Sequence, residues 1–242
     1  MISLEGKVAV VTGGGSGLGA AICRALGEQG VRVVVADIKE EAARKVAEEL
    51  NTRKERSAVA MQLDVGDAEA AGRFFDRIVG ELGGLDILVN NAGTDVTAPM
   101  DEISIEAFDR VLSTNLRGPF ILTRAALPAL RKRNGGDVIN IASTAARRAW
   151  PNASAYHASK WGLVGLSHAM HAELRGERIR VCALLAGGMR TPFLLDRFEG
   201  IDLETLQDPA NVAQAVIAVL QMPAETVIPE IMVLPRRESS WP

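Results

Sequence analysis

Short apolar strand patterns and amphipathic helix patterns alternate along this chain without a break, and that alternation limits the fold more than any other feature. Residues 7–11 (KVAVV) form a β-branched run that stops at a glycine cluster, the signature of a buried strand. Helix spacing follows over 19–29. Further strands are predicted over 31–37, 58–65, 85–93, 137–143, 178–187 and 230–235. Helices are predicted between them over 40–50, 68–82, 105–130, 155–174 and 209–221. The Gly118-Pro119 pair should bend the helix over 105–130, because proline removes a backbone donor. Continuous apolar strands joined by helices imply a parallel sheet covered on both faces, an α/β doubly wound architecture. No linker, repeat or low-complexity tract interrupts the pattern, so one domain over 1–242 is the economical division. The segment at about 187–208 is expected to cover a substrate, and the tail RRESSWP to lie on the surface, with Trp241 able to dock.

Composition narrows the function classes. Hydrophobic residues make up 48% and charged residues 24%, ordinary for a soluble globular chain. A formal net charge of −3 gives no electrostatic case for nucleic acid or an anionic membrane. No apolar run approaches the roughly 18 residues of a membrane span. The N-terminus enters a strand directly and lacks the pattern of a signal peptide. Cys23 and Cys182 sit in apolar contexts without metal-ligand spacing and read as two buried thiols. These features together imply a cytoplasmic setting.

The first strand runs into TGGGSGLG (12–19) and then a helix. Gly13 permits a tight turn, Gly17 lets the backbone approach a diphosphate, and Gly19 lets the helix pack near the strand. The helix N-terminus then offers free N–H groups and a favourable dipole to phosphate. A Walker-type phosphate loop is excluded, because no Gly-Lys-Ser/Thr follows. Asp37 ends the second strand, 18 residues after Gly19. An acid there accepts hydrogen bonds from ribose hydroxyls and repels a 2′-phosphate. Ser16 and Ile38 stand where an arginine would neutralise that phosphate, and Lys39 is the only nearby base. NAD is therefore favoured over NADP. Asp64 and Val65 end the third strand and are candidates for the adenine pocket, or Asp64 is simply a turn acid. Asn90-Asn91-Ala92-Gly93 ends the fourth strand, where small residues leave room for a cofactor and the asparagines can fix nearby backbone.

Tyr156 is the only tyrosine in 242 residues, and Lys160 follows one helical turn later on the same face. A free phenol, with a pKa of about 10, is a poor base at neutral pH. A neighbouring ammonium favours the phenolate, so Lys160 is expected to lower the pKa of Tyr156. A phenol so tuned can take a proton from an alcohol, or return one to a carbonyl, while hydride moves. Ser143, at the end of the fifth strand, could hold the substrate oxygen beside it. Asn115 lies just before the expected bend and could help hold a water next to Lys160.

Taken together, Thr12-Gly13-x-x-x-Gly17-x-Gly19, Asp64, Asn90-Asn91-Ala92-Gly93, Asn115, Ser143 and Tyr156-x-x-x-Lys160 resemble the short-chain dehydrogenases/reductases, one-domain branch. The likeness runs from residue 4 to about 192, and the Ser143-to-Tyr156 separation of 13 is also the usual one. The resemblance implies a Rossmann fold with a seven-stranded parallel sheet in the order 3-2-1-4-5-6-7. It implies a tetrad of Asn115, Ser143, Tyr156 and Lys160, with Tyr156 as acid/base and Lys160 also holding the nicotinamide ribose. Cofactor contacts are then expected from Gly13, Ser16, Gly17, Leu18 and Gly19 at the phosphates. Asp37, Ile38, Asp64 and Val65 are expected at the adenosine. Asn91, Ala92, Gly93, Tyr156, Lys160, Gly187, Met189 and Thr191 complete the expected cofactor contacts. No metal is implied. A homodimer or homotetramer is expected through the helices at about 105–130 and 155–174.

Two departures stand out. Where such chains usually carry Pro-Gly and then Thr, this one reads Ala186-Gly187-Gly188-Met189-Arg190-Thr191, which predicts looser backbone around 185–188. The C-terminus also lacks the Gly-Gly ending common among acyl-carrier-protein reductases, a lean toward hydroxy acids and miscellaneous alcohols. Arg147, Arg148 and Arg190 flank the expected substrate mouth and either hold an anionic substrate or are solvated or subunit contacts. Phe193, Leu194, Leu195 and Phe198 form either an apolar lid or an interface helix. His168 and His171 lack a third ligand at metal spacing and read as solvated or interface histidines. Substrate choice should lie in loops 94–100, 144–153 and 187–200. The favoured activity is hydride transfer between NAD and a secondary alcohol or ketone. A redox sensor without catalysis, or an epimerase or dehydratase, are the alternatives.

Overall fold

The computed structural model describes residues 2–238. Seven strands form one parallel sheet in the order β3-β2-β1-β4-β5-β6-β7. They are β1 (Val8–Thr12), β2 (Arg32–Asp37), β3 (Ala58–Gln62), β4 (Ile87–Asn90), β5 (Gly136–Ser143), β6 (Ile179–Ala186) and β7 (Glu230–Val233). The helices are α1 (Gly17–Glu28), α2 (Glu40–Arg53), α3 (Ala68–Leu82), α4 (Ile105–Leu112), α5 (Gly118–Lys132), α6 (Ser154–Leu174), the short α7 (Pro192–Leu195) and α8 (Pro209–Leu220). Trp241 lies outside the described residues.

Alternation along each strand explains the two helix layers. Ala9, Val11, Val33 and Val35 pack with Ile22, Leu26 and Val212 from α1 and α8. Their neighbours Val8, Val10 and Val34 face the other way, onto Phe74, Ile78, Leu122 and Met170 from α3, α5 and α6. Each fully buried Val or Leu contributes roughly 1.5–3 kcal/mol, so both faces drive folding. Every neighbouring pair of strands is parallel, so all the carboxyl ends meet at one edge. Thr12, Asp37, Asn90, Ser143 and Ala186 end their strands there.

Boundaries differ from the sequence reading where local chemistry competes with pairing. The third strand stops at Gln62 and the fourth spans only Ile87–Asn90, because their flanks turn into the loops that build the site. The helix expected over 105–130 is split earlier than its Gly-Pro pair. Between α4 and α5 the turns widen over Ser113–Arg117, and the Gly118 N–H bonds back five residues to the Ser113 carbonyl. Pro119 has no N–H to give the carbonyl four residues before it, that of Asn115, and a wider turn accommodates the loss.

Candidate active site

The glycine turn is shaped by what a side chain would strike. A Cβ on Gly19 would sit 2.0 Å from the Gly13 carbonyl oxygen. Gly17 has φ of +51°, which disfavours any other residue. Ser16 caps α1 in extended conformation without a side-chain bond to the helix, leaving its hydroxyl and the first N–H groups to face outward. Leu18 is buried in the core, so only its backbone serves this turn. Asp37 closes the turn from β2, accepting from the Gly15 N–H at 3.0 Å and the Lys39 N–H at 2.9 Å. Ile38 beside it is 59% exposed, an apolar surface at the strand edge. The Asp64 carboxylate accepts from the Gly66 N–H at 2.8 Å, so it does act as a turn acid. Val65 is buried and packs under Gly118. A glycine turn at a helix N-terminus, closed by an acid at the end of the neighbouring strand, fits a dinucleotide.

Thr12, which opens the glycine-turn motif, ties this turn to the loop after β4. Its Oγ1 accepts from the N–H groups of both Asn91 and Ala92, each at 3.0 Å. Asn91 Nδ2 returns a bond to the Thr12 carbonyl at 2.9 Å. Asn90 points the other way and joins Asn140 at 2.8 Å in the buried layer. The loop after β4 is thereby tied to β1, as expected of asparagines that fix backbone.

Asn115 reaches the same loop from the wide turn. Its Oδ1 accepts from the Thr94 N–H, and its Nδ2 donates to the Thr94 carbonyl at 2.8 Å and to Ser159 Oγ at 3.0 Å. Both amide hydrogens are therefore spent on protein, so the side chain is a staple between loop and helix. Lys160 Nζ donates to the Ile141 carbonyl at 2.8 Å and lies 5.6 Å from the centre of the Tyr156 ring. The Ser143 hydroxyl accepts from the Ala145 N–H at 3.2 Å, within the tight turn that follows β5. The Ser143 side chain favours the Tyr156 phenolate over the phenol.

The electrostatics correct one expectation. Burial pushes the Tyr156 phenol up to about 12, and the Ser143 hydroxyl and the Arg197 guanidinium only partly oppose it. Lys160 is not what sets this balance. Burial instead brings the lysine down to about 8, with Asp95 acting to keep it charged. Asp95 and Arg197 thus enter the site from segments where the sequence alone assigned them no role. The only signal was an acid just beyond the Asn-Asn-Ala-Gly turn.

The sixth strand brings a second correction. Ala186, where proline was expected, pairs in register with Ser143. The backbone beyond it is pinned, not loose. Gly187 N–H donates to the Val233 carbonyl at 2.8 Å and Gly188 N–H to Glu238 Oε2 at 3.2 Å. The Gly188 carbonyl accepts from Gln207 N–H at 3.1 Å, and Met189 bridges to Gln207. Thr191 is buried and lies against Gly17, so the loop after β6 touches the glycine turn.

Residues 7–201 match the short chain dehydrogenase family. This chain belongs to that family. Among curated relatives, the D-threitol dehydrogenase of Mycolicibacterium smegmatis is 39% identical over 178 residues, covering 74% of this chain and 68% of the relative. A 3-ketoacyl-(acyl-carrier-protein) reductase from Brucella melitensis, solved with NADH, superposes with TM-score 0.90 at 30% identity, over 98% of this chain and 100% of that one. An alcohol dehydrogenase from Thermococcus sibiricus, solved with 5-hydroxy-NADP, gives 0.88 at 28% identity, over 96% and 97%. The short-chain dehydrogenase described here thus shares its fold with proteins that carry either form of nicotinamide cofactor.

Other candidates in this short-chain dehydrogenase resolve plainly. Arg147 donates to Glu230 at 2.6 Å, and Arg190 to the Leu206 carbonyl at 2.6 Å, so neither guanidinium is uncommitted. His168 Nε2 lies 3.1 Å from Glu230. Among the described residues no group of three or more His, Cys, Asp or Glu could hold a metal, and no helix is long and apolar enough to cross a membrane. Both thiols are buried, with their pKa values raised by burial.

Proposed function

We propose that this short-chain dehydrogenase transfers a hydride between NAD and a neutral secondary alcohol or the matching ketone. The convergence of Ser143, Tyr156 and Lys160 at the carboxyl edge, beside a cradle ending at Asp37, carries the reading. The bound nicotinamide would supply the hydride acceptor or donor. Tyr156 takes the hydroxyl proton of the alcohol, or returns one to the carbonyl oxygen. Ser143 Oγ orients that oxygen. Lys160 holds the nicotinamide ribose, while the positive ring favours the phenolate against burial. Asn115 keeps the loop after β4 and α6 in register around them.

Asp37 supports NAD over NADP, because its carboxylate occupies the ribose end and repels a 2′-phosphate. The commitment of Arg147 and Arg190 to protein partners supports a neutral substrate over an anionic one. The threitol-acting relative leans the same way, toward polyhydroxy alcohols. A homo-oligomer through α4, α5 and α6 is supported by exposed Phe120 and Trp161 and by the apolar groove of Leu112, Leu116, Phe120 and Leu166.

The test is a screen of sugar alcohols, simple secondary alcohols and hydroxy acids with NAD and NADP in parallel. Turnover of neutral alcohols with NAD supports the proposal. Turnover only with NADP overturns the Asp37 argument, and turnover only of hydroxy acids overturns the neutral-substrate argument.

A further inference from the structure

We propose that Asp95 and Arg197 form a latch that holds the segment after β6 over Tyr156, which makes Asp95 a positioning residue for the site. The proposal rests on the reading of Tyr156 as the acid/base.

The two side chains come from segments 102 residues apart in sequence, with Arg197 Nη1 donating to Asp95 Oδ2 at 3.1 Å. The Asp95 side chain is only 8% exposed and that of Arg197 25%. The other carboxylate oxygen accepts from the Val96 N–H at 2.7 Å, so the acid is fixed by its own loop. The guanidinium lies 4.0 Å from the centre of the Phe193 ring. Phe193 in turn stands 5.9 Å, ring to ring, from Tyr156. One acid, one cation and one aromatic therefore run in series from the loop after β4 to the phenol.

Little else restrains this part of the segment. The four-residue α7 has no fully buried residue, and Leu195 and Phe198 are 37% and 40% exposed. A segment with few buried apolar contacts opens at low cost, which suits a cover that must admit substrate. A largely buried ion pair then governs how often it opens, because separating it leaves the buried Asp95 carboxylate without its partner. The segment is rooted at one end by buried Thr191 against Gly17 and at the other by Gln207 on Gly188, and the latch lies between these anchors.

The pair also faces the catalytic charges. Asp95 raises the pKa values of Tyr156 and Lys160, while Arg197 lowers that of Tyr156. His157, Lys160 and Arg197 all act on Asp95, whose own pKa burial raises. While latched, the two charges offset each other at the phenol.

The test uses Asp95→Asn, Arg197→Gln, Arg197→Lys and the Asp95→Asn/Arg197→Gln double variant of the full chain. Asparagine keeps an acceptor for Val96, which guards against simple misfolding. The first readout is the rate of chymotrypsin nicking at Phe193 and Phe198. Nicking follows the open population, so each neutral single variant should be cut roughly ten-fold faster. The double variant should be cut no faster than the worse single, and Arg197→Lys should be closer to wild type. The second readout is phenolate absorbance, which reports Tyr156 alone because the chain has no other tyrosine. Asp95→Asn should ionise at lower pH than wild type and Arg197→Gln at higher pH. Single variants nicked at the wild-type rate, additive effects in the double variant, or a phenol unmoved by Asp95→Asn would each overturn the latch. Neither readout needs turnover, so a protein inactive on alcohols would refute the proposed function and leave these outcomes to judge the latch alone.

Discussion

Asn115 and Thr94 exchange two hydrogen bonds, each 2.8 Å long, across 21 residues of sequence. The Asn115 side chain is a clamp on the loop that follows β4. Asn115→Ala should therefore cost about 1–3 kcal/mol of stability, because the Thr94 N–H loses its partner. Cofactor KM should rise with it. Denaturant unfolding together with cofactor titration checks this. Unchanged stability with only kcat lowered would point to a purely chemical role.

Tyr156→Phe should lower kcat by roughly 10²–10⁴-fold, the usual contribution of a positioned acid/base. Cofactor affinity should change little, because the substitution removes one hydroxyl and leaves the ring against Phe193. Parallel steady-state kinetics and NAD binding by calorimetry decide it. A variant with near-normal kcat would remove Tyr156 from the mechanism.

The buried Lys160 makes a pH prediction for stability. Its folded pKa of about 8 lies below its model-peptide value of 10.5. Between these values the unfolded chain binds more protons, so this group's contribution grows as pH rises and is lost as pH falls through about 8. Lys160→Met should accordingly be more stable than wild type below pH 8, by an amount of order a few kcal/mol. The gap should close toward pH 10.5. Urea unfolding of both proteins across that range measures it, and a gap independent of pH would contradict the burial argument.

Asp37→Ser should shift cofactor preference. Removing the carboxylate removes its repulsion of a 2′-phosphate, so kcat/KM with NADP should rise by about ten-fold or more and that with NAD should fall. Competition between the two cofactors reads this directly. No change with NADP would mean that Asp37 serves mainly as the acceptor for Gly15.

Two glycine substitutions should act in opposite directions. Gly19→Ala would place its Cβ 2.0 Å from the Gly13 carbonyl oxygen, forcing the turn apart and abolishing cofactor binding. Gly72→Ala, inside α3, meets nothing within 4 Å and should stabilise by about 0.5–1 kcal/mol. Thermal unfolding and NAD titration of both variants check the contrast.

The parts legible in the sequence were those decided over short range. Apolar strand runs, the Gly13–Gly19 turn and the one-turn spacing of Tyr156 and Lys160 depend on neighbours within a few residues. Local sterics and periodicity write them directly into the chain. The seven-strand order came from the resemblance and is the order observed. What the tertiary structure alone decided needed loops from distant segments to meet at one edge. The Asp95–Arg197 pair, the Asn115–Thr94 clamp and the pinning of Gly188 by Glu238 join residues 102, 21 and 50 positions apart. No local pattern announces such contacts. The charge balance at Tyr156 is of the same kind: Lys160 was visible one turn away, but desolvation depends on everything that closes over the phenol, and here it outweighs any neighbouring charge.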